Sequence, residues 1–230
     1  MTTFRYLFSA LLLLAFSGLA TAQIDAGFRL AYGSTNIRTD SDFDAVSDQF
    51  ESASARTLGF FLEIPFGEVF SLRPGLEIAR RGTSLKLTAD QEVFGVTLPV
   101  GVSAKTRFTY VDLPVLFQFQ LPTERAFKPY AFFGPNVGYA TGGNIRTTAK
   151  AIIEFNLMTT DINLDAIDYN RFHVAAVGGV GFKLQMSPTF AAFVEGRFEQ
   201  SLNQPYDVPV ATAKTGFKGG SFGAGVAFAL

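Results

Sequence analysis

"YVDLPVLFQFQL" occupies residues 110–121 and alternates along its whole length. Val111, Leu113, Val115, Phe117, Phe119 and Leu121 fall on one side, and Tyr110, Asp112, Pro114, Leu116, Gln118 and Gln120 on the other. A period of two is the strand period, so one face is wholly apolar. The other carries a carboxylate, two amides and a proline. What the apolar face meets depends on its companions.

Seven further stretches alternate in the same way: 24–32, 57–66, 70–80, 129–140, 171–186, 190–199 and 221–230. Each aligns large apolar residues, such as Phe28, Leu30 and Tyr32 in the first or Phe222, Val226 and Phe228 in the last. Eight strands are therefore predicted. The connections alternate too. Long segments at 33–56, 81–105, 141–168 and 200–217 are separated by short ones at Gly67-Glu68, "PTERAFK" (122–128) and Ser187-Pro188. Transmembrane β-barrels have this asymmetry, with short periplasmic turns and long extracellular loops. An even count also returns both termini to the short-turn end. The predicted fold is an all-β, eight-stranded antiparallel transmembrane barrel.

Composition narrows the alternatives. The 230 residues are 48% hydrophobic and 17% charged, with net charge −1, so no basic stripe offers itself to nucleic acid. With no cysteine there is no disulfide frame, thiolate nucleophile or lipidated cysteine. Arg5, the apolar run "LFSALLLLAF" (7–16) and "ATA" (20–22) form a signal-peptide pattern. Residues 1–22 are expected to be cleaved, leaving 23–230 as the barrel domain, exported to the bacterial outer membrane. No later apolar run is long enough for a transmembrane helix.

The face opposite the apolar set carries Asp25, Arg29, Glu63, Arg73, Glu77, Arg81, Asp112, Arg171, Lys183, Glu195, Arg197 and Glu199, equal in acids and bases. Many glycines share it. An eight-strand barrel is just wide enough inside for side chains. The expectation is a polar lumen plugged by ion pairs, with Arg29, Glu63, Arg73, Glu77, Asp112, Lys183, Glu195 and Arg197 as its network. A soluble lipocalin-like barrel would turn the phenylalanines inward, leaving a charged exterior and unexplained loop alternation. Tyr32 and Tyr139 at one rim, with Phe66, Phe70, Phe190 and Phe228 at the other, are candidate aromatic belts. Pro74, Pro114 and Pro135 lie within strands, where each removes a ladder donor from a sheet that has no edge. Bulges or hydrated carbonyls are the expected remedies.

At "RFTYVDLPVLFQFQLPTERAFKPYAFFGPNVGY" (107–139) a resemblance becomes specific. An aromatic-x-acid-Leu-Pro strand, a short turn and K-P-Y-x-F-x-G-P resemble the PorT-like family of outer-membrane β-barrel proteins of Gram-negative bacteria. "LRPGLEIARRG" (72–82), "FVEGRFEQSLN" (193–203) and "GGSFGAGVAF" (219–228) resemble further strands of that family. The resemblance implies an eight-strand barrel and no particular reaction. Ser221, Gly223, Val226 and Phe228 also resemble the C-terminal signal read by the barrel assembly machinery, although Ala229 and Leu230 follow the aromatic.

Chemistry has few carriers. The one histidine, His173, would need a serine and an acid; Ser201 and Asp168 are the candidates at that rim. A structural role is favoured, as it is for the carboxylates interleaved with arginines. Asp40, Asp42, Asp44 and Asp48 lack an EF-hand's glycine and terminal glutamate and read as a solvated loop. No catalytic, cofactor or metal site is assigned. Arg80 and Arg107, on the apolar parity at the loop ends of neighbouring strands, are candidates for lipopolysaccharide phosphates. Expected partners are outer-membrane lipids, the assembly machinery and an unknown protein at the loops. A small-solute channel and an envelope-lipid enzyme are the membrane alternatives.

Overall fold

Period-two segments become strands because each can give one face to a narrow polar interior and the other to an apolar exterior. The computed structural model describes residues 23–38, 50–93, 96–123, 126–150, 154–166, 169–203 and 216–230. Segment 1–22, expected to be a signal peptide, the aspartates at 40–48 and Asp168 lie outside them. The strands are β1 (Asp25–Arg38), β2 (Phe50–Phe66), β3 (Phe70–Val93), β4 (Val96–Gln120), β5 (Phe127–Lys150), β6 (Glu154–Ile162), β7 (Phe172–Ser187), β8 (Phe190–Ser201) and β9 (Gly216–Ala229).

Eight of these nine close into a barrel. The order runs β4-β3-β2-β1-β9-β8-β7-β5, and β4 pairs with β5 to complete the ring. All neighbours are antiparallel, and the first and last strands zip from Asp25↔Ala229 to Arg38↔Gly216. Closure matters because lipid cannot satisfy the backbone groups of a free edge. Tight turns join β2 to β3 and β7 to β8; in the first, Gly67 takes a positive φ of 82° that favours glycine.

The strands overrun the expected loops. Segment 81–105, predicted as a connection, is the top of one hairpin, paired from Gly82↔Arg107 to Val93↔Val96. Segment 141–168 contains the end of β5 and all of β6, which pairs with β5 alone. β3 is 24 residues long, whereas about 9–11 tilted residues cross a bilayer. The surplus forms a four-strand wing, β3-β4-β5-β6, beyond the long-loop end. These segments read as loops because their polar residues lack a lipid-facing alternation, yet they complete each other's ladders.

Burial follows parity. In β4, Asp112, Leu116 and Gln118 are buried, while Leu113 is 55% exposed and Phe117 52%. The outer wall repeats this with Phe133 at 67% and Leu30 at 65%. A continuous apolar surface of this kind requires an apolar solvent. At the short-turn rim Phe70 meets Phe119 and Phe190 meets Phe228, with ring centroids 5.5 and 5.1 Å apart.

The prolines are absorbed without bulges. Pairing lapses beside each one, yet the register on both sides is the same: Phe61↔Gly75 resumes as Ile64↔Leu72, and Pro74↔Val115 as Glu77↔Asp112. Pro114↔Asn136 likewise resumes as Phe117↔Phe133. The irregularities fall elsewhere, at Ser52/Arg56, Thr109/Tyr110, Thr147/Thr148 and Gln185/Ser187. Inside, large side chains lie opposite glycines. Tyr130 faces Gly181, Phe132 faces Gly179 and Asp112 faces Gly138, and a Cβ on any of these glycines would collide with its partner.

Candidate functional site

The lumen is filled in layers. Nearest the short turns, Lys183 Nζ lies 2.8 and 2.7 Å from the two Glu63 oxygens, and Gln118 Nε2 donates to Glu63 at 2.9 Å. Asp25 stands 3.7 Å from the same ammonium. Above this sits an aromatic and aliphatic cluster of Phe61, Leu116, Tyr130, Phe132, Val177, Phe193 and Ala227. The Arg73 guanidinium lies over the Phe61 ring, 3.9 Å from its centroid.

Two charge layers follow. Glu195 accepts from Arg29 Nε at 2.5 Å, Arg73 Nη1 at 2.8 Å and the Tyr130 hydroxyl at 2.8 Å. Glu77 accepts from Arg197 Nη1 at 2.9 and 2.8 Å, with Arg29 Nη1 3.9 Å away. Higher still, Arg81 Nη2 donates to Asp112 Oδ2 and Glu199 Oε1, both at 2.5 Å, and Asn136 donates to Asp112 at 3.3 Å. A second cluster caps the stack: Phe108, Tyr110, Ala140, Leu164, Tyr169 and Phe217. Tyr110 and Tyr169 are hydrogen-bonded through their hydroxyls, and the Tyr169 ring stacks on Phe108 at 4.7 Å.

All eight predicted network residues are therefore buried and brought together inside the barrel. Two expectations need correcting. Arg171 is not in the lumen; it precedes β7, binds Asp165 at 2.7 Å and lies 5.9 Å from the Tyr139 ring centroid. Nor is the lumen simply polar, since one aromatic cluster separates the Lys183–Glu63 layer from the charges above it and a second caps the stack. The signal for the lower one was in the doublets Phe60-Phe61 and Phe132-Phe133, which must send one ring to each face.

His173 is fully buried beside the upper charge layer. Its Nε2 is 3.1 Å from Glu199 Oε1 and its Nδ1 3.5 Å from Ser201 Oγ. Ser201 was anticipated; among the described residues the acid beside His173 is Glu199, and Asp168 lies outside them. Ser201 Oγ also accepts the Phe217 amide at 2.9 Å, and Glu199 is shared with Arg81 and with Arg197 at 3.4 Å. These bonds tie serine, histidine and acid into the wall. Among the described residues no group of three or more His, Asp or Glu side chains is placed to hold a metal ion.

The rim arginines face outward as their parity requires. Arg80 is exposed, but the residue opposite it on β2 is Arg56. Arg107 lies opposite Gly82, one step nearer the wing, and its Nη2 reaches Ser54 Oγ at 3.5 Å. The register between β2 and β3 was needed to see the Arg56–Arg80 opposition.

A family model for the outer membrane protein beta-barrel domain matches residues 20–206. The chain belongs to this family. It is an outer-membrane β-barrel protein of bacteria. Similar solved structures include OprG from Pseudomonas aeruginosa, 13% identical over 91% of this chain and 96% of that one, with a TM-score of 0.49. Neisserial surface protein A is 12% identical over 89% and 97%, TM-score 0.41. Ail, the attachment invasion locus protein of Yersinia pestis, is 11% identical over 90% and 99%, TM-score 0.39. No curated protein matches this chain.

Proposed function

We propose that this barrel is a non-enzymatic component of the outer membrane whose lumen is closed by its own charges, and that it acts through its outer wall and the wing at its long-loop end. The observation that carries this reading is the unbroken stack of ion pairs between two aromatic clusters. The void bordered by Arg29, Arg81, Arg197 and Thr35 measures about 40 Å³. One water needs about 10–15 Å³ on such a measure, so a few waters fit and a hydrated solute does not. Buried charges are costly unless paired, and each carboxylate in the stack has a cationic partner.

Export through residues 1–22, insertion by the assembly machinery and contact with lipopolysaccharide and an unknown protein at the loops complete the reading. The motif at 107–139 supports a place among PorT-like barrels. Planar-bilayer recording in high salt tests the closed lumen. Silence from protein that is folded by gel mobility is expected; stable unitary steps would make it a small-solute channel.

The Ser201–His173–Glu199 chain favours a second reading, a hydrolase acting on envelope lipids. Its geometry is that of a locked network, with Ser201 occupied by a backbone amide. Hydrolysis of a phospholipid ester that disappears in both Ser201→Ala and His173→Ala would establish it.

A further inference from the structure

Arg56 and Arg80 face each other directly across β2 and β3, on the outer wall, both exposed. Like charges directly opposite in a ladder repel. Every lumen arginine has a carboxylate within hydrogen-bond range; these two have none among the described residues. Arg56 lies over the Tyr32 ring, whose centroid is 6.0 Å from its guanidinium carbon. Arg107 stands just above them, and its buried Nε has no partner. Three cations are thus held together with no carboxylate beside them among the described residues.

The wall beside them is not smooth. One register row runs Val180, Gly196, Phe222, Tyr32, Arg56, Arg80, and the next runs Phe182, Val194, Ala224, Leu30, Leu58, Ile78. Gly196 and Ala224 are the small members of their rows. They floor a depression of about 940 Å³ whose lining is almost wholly apolar and which reaches Arg56 and Arg80 at its other end. Phe222, 83% exposed, leans toward Gly196 along its edge.

We infer that this is a binding site for an acylated, phosphorylated lipid of the outer leaflet. A phosphate bridges the Arg56 and Arg80 guanidinium groups, with Arg107 as a third donor, and acyl chain lies over Gly196 and Ala224. Charge complementarity selects the occupant: paired arginines fit phosphate oxygens, and the apolar trough fits hydrocarbon. The opposed arginines are then a site prepared for a dianion rather than a defect. The inference rests on the membrane placement of the barrel and not on the closed lumen. A conducting lumen would leave it standing, and its own failure would leave the lumen reading untouched.

The test is native mass spectrometry of the full barrel released from zwitterionic detergent and titrated with bis-phosphorylated lipid A, with dephosphorylated lipid A, and with inorganic phosphate as competitor. Folding is scored on each sample by gel mobility. Wild type should retain one phosphorylated lipid. Arg56→Gln with Arg80→Gln should weaken retention at least tenfold, and so should Ala224→Phe, which fills the trough at a lipid-facing position. The lipid should raise the thermal mobility-shift midpoint of wild type and not of the double variant. Binding by the double variant within twofold of wild type would overturn the proposal. Equal binding of the dephosphorylated lipid would reduce the wall to ordinary lipid contact. Full displacement by millimolar phosphate would make it a phosphate site and not a lipid site. If a variant fails to fold, the comparison of the two lipids on wild type still decides.

Discussion

Glu195 is the side chain on which the middle of the lumen depends. It accepts from Arg29, Arg73 and Tyr130, and its side chain is 1% exposed. Glu195→Gln keeps the shape and removes the charge. Arg73 then has no carboxylate in hydrogen-bond range among the described residues, and the face of Phe61 at 3.9 Å is already in use in the wild type. A buried cation stranded in this way costs about 3–5 kcal/mol. Arg29 adds less, because Glu77 is 3.9 Å away and Ser221 Oγ 3.5 Å. Arg73→Met alone leaves Glu195 with Arg29 and Tyr130, so its cost is smaller. Combined with Glu195→Gln, it removes the stranded charge and should restore about 1.5 kcal/mol or more of the loss. Urea titration in detergent, followed by gel mobility and by tyrosine emission since the chain has no tryptophan, yields both quantities by linear extrapolation. A Glu195→Gln protein within about 1 kcal/mol of wild type, or a double variant equal to the sum of the singles, would refute the idea that these pairs hold the barrel together.

Gly181→Ala puts a Cβ into the Tyr130 ring and should cost about 1–3 kcal/mol by overpacking, read as a lower urea midpoint. Phe133→Arg, at an outward position 67% exposed, should cost about 2–4 kcal/mol near the bilayer midplane and lower the folded fraction in vesicles. Pro114→Ala should stay within about 1 kcal/mol of wild type, because the register already passes Pro114 unshifted. Its new amide should be protected from hydrogen exchange; exchange at the rate of an open amide would mean the ladder is truly parted there. Phe108→Ala removes the ring that stacks on Tyr169 and should cost about 3–5 kcal/mol in the same urea titration, showing that the upper cluster is packed core rather than an entrance.

Much of this protein could be read from one-dimensional pattern. Alternation in "YVDLPVLFQFQL" sorts Asp112 and Gln118 from Phe117 and Phe119 without reference to any other strand, because the pleat allows no other arrangement. Short turns at Gly67 and Pro188 set the hairpins, and the parity of the charged residues placed eight of them in a lumen. What the pattern could not contain was register. Arg73 and Glu195 are separated by 122 positions, and Lys183 and Glu63 by 120. Only the closed ring and its tilt decide which layers meet, that Glu199 reaches His173, and that Phe61 and Phe193 pack inside among charges. The same cause hid the Arg56–Arg80 opposition and the absorbed prolines. A strand's own residues determine its faces, whereas what each face meets is set by neighbours that the chain reaches only after many residues.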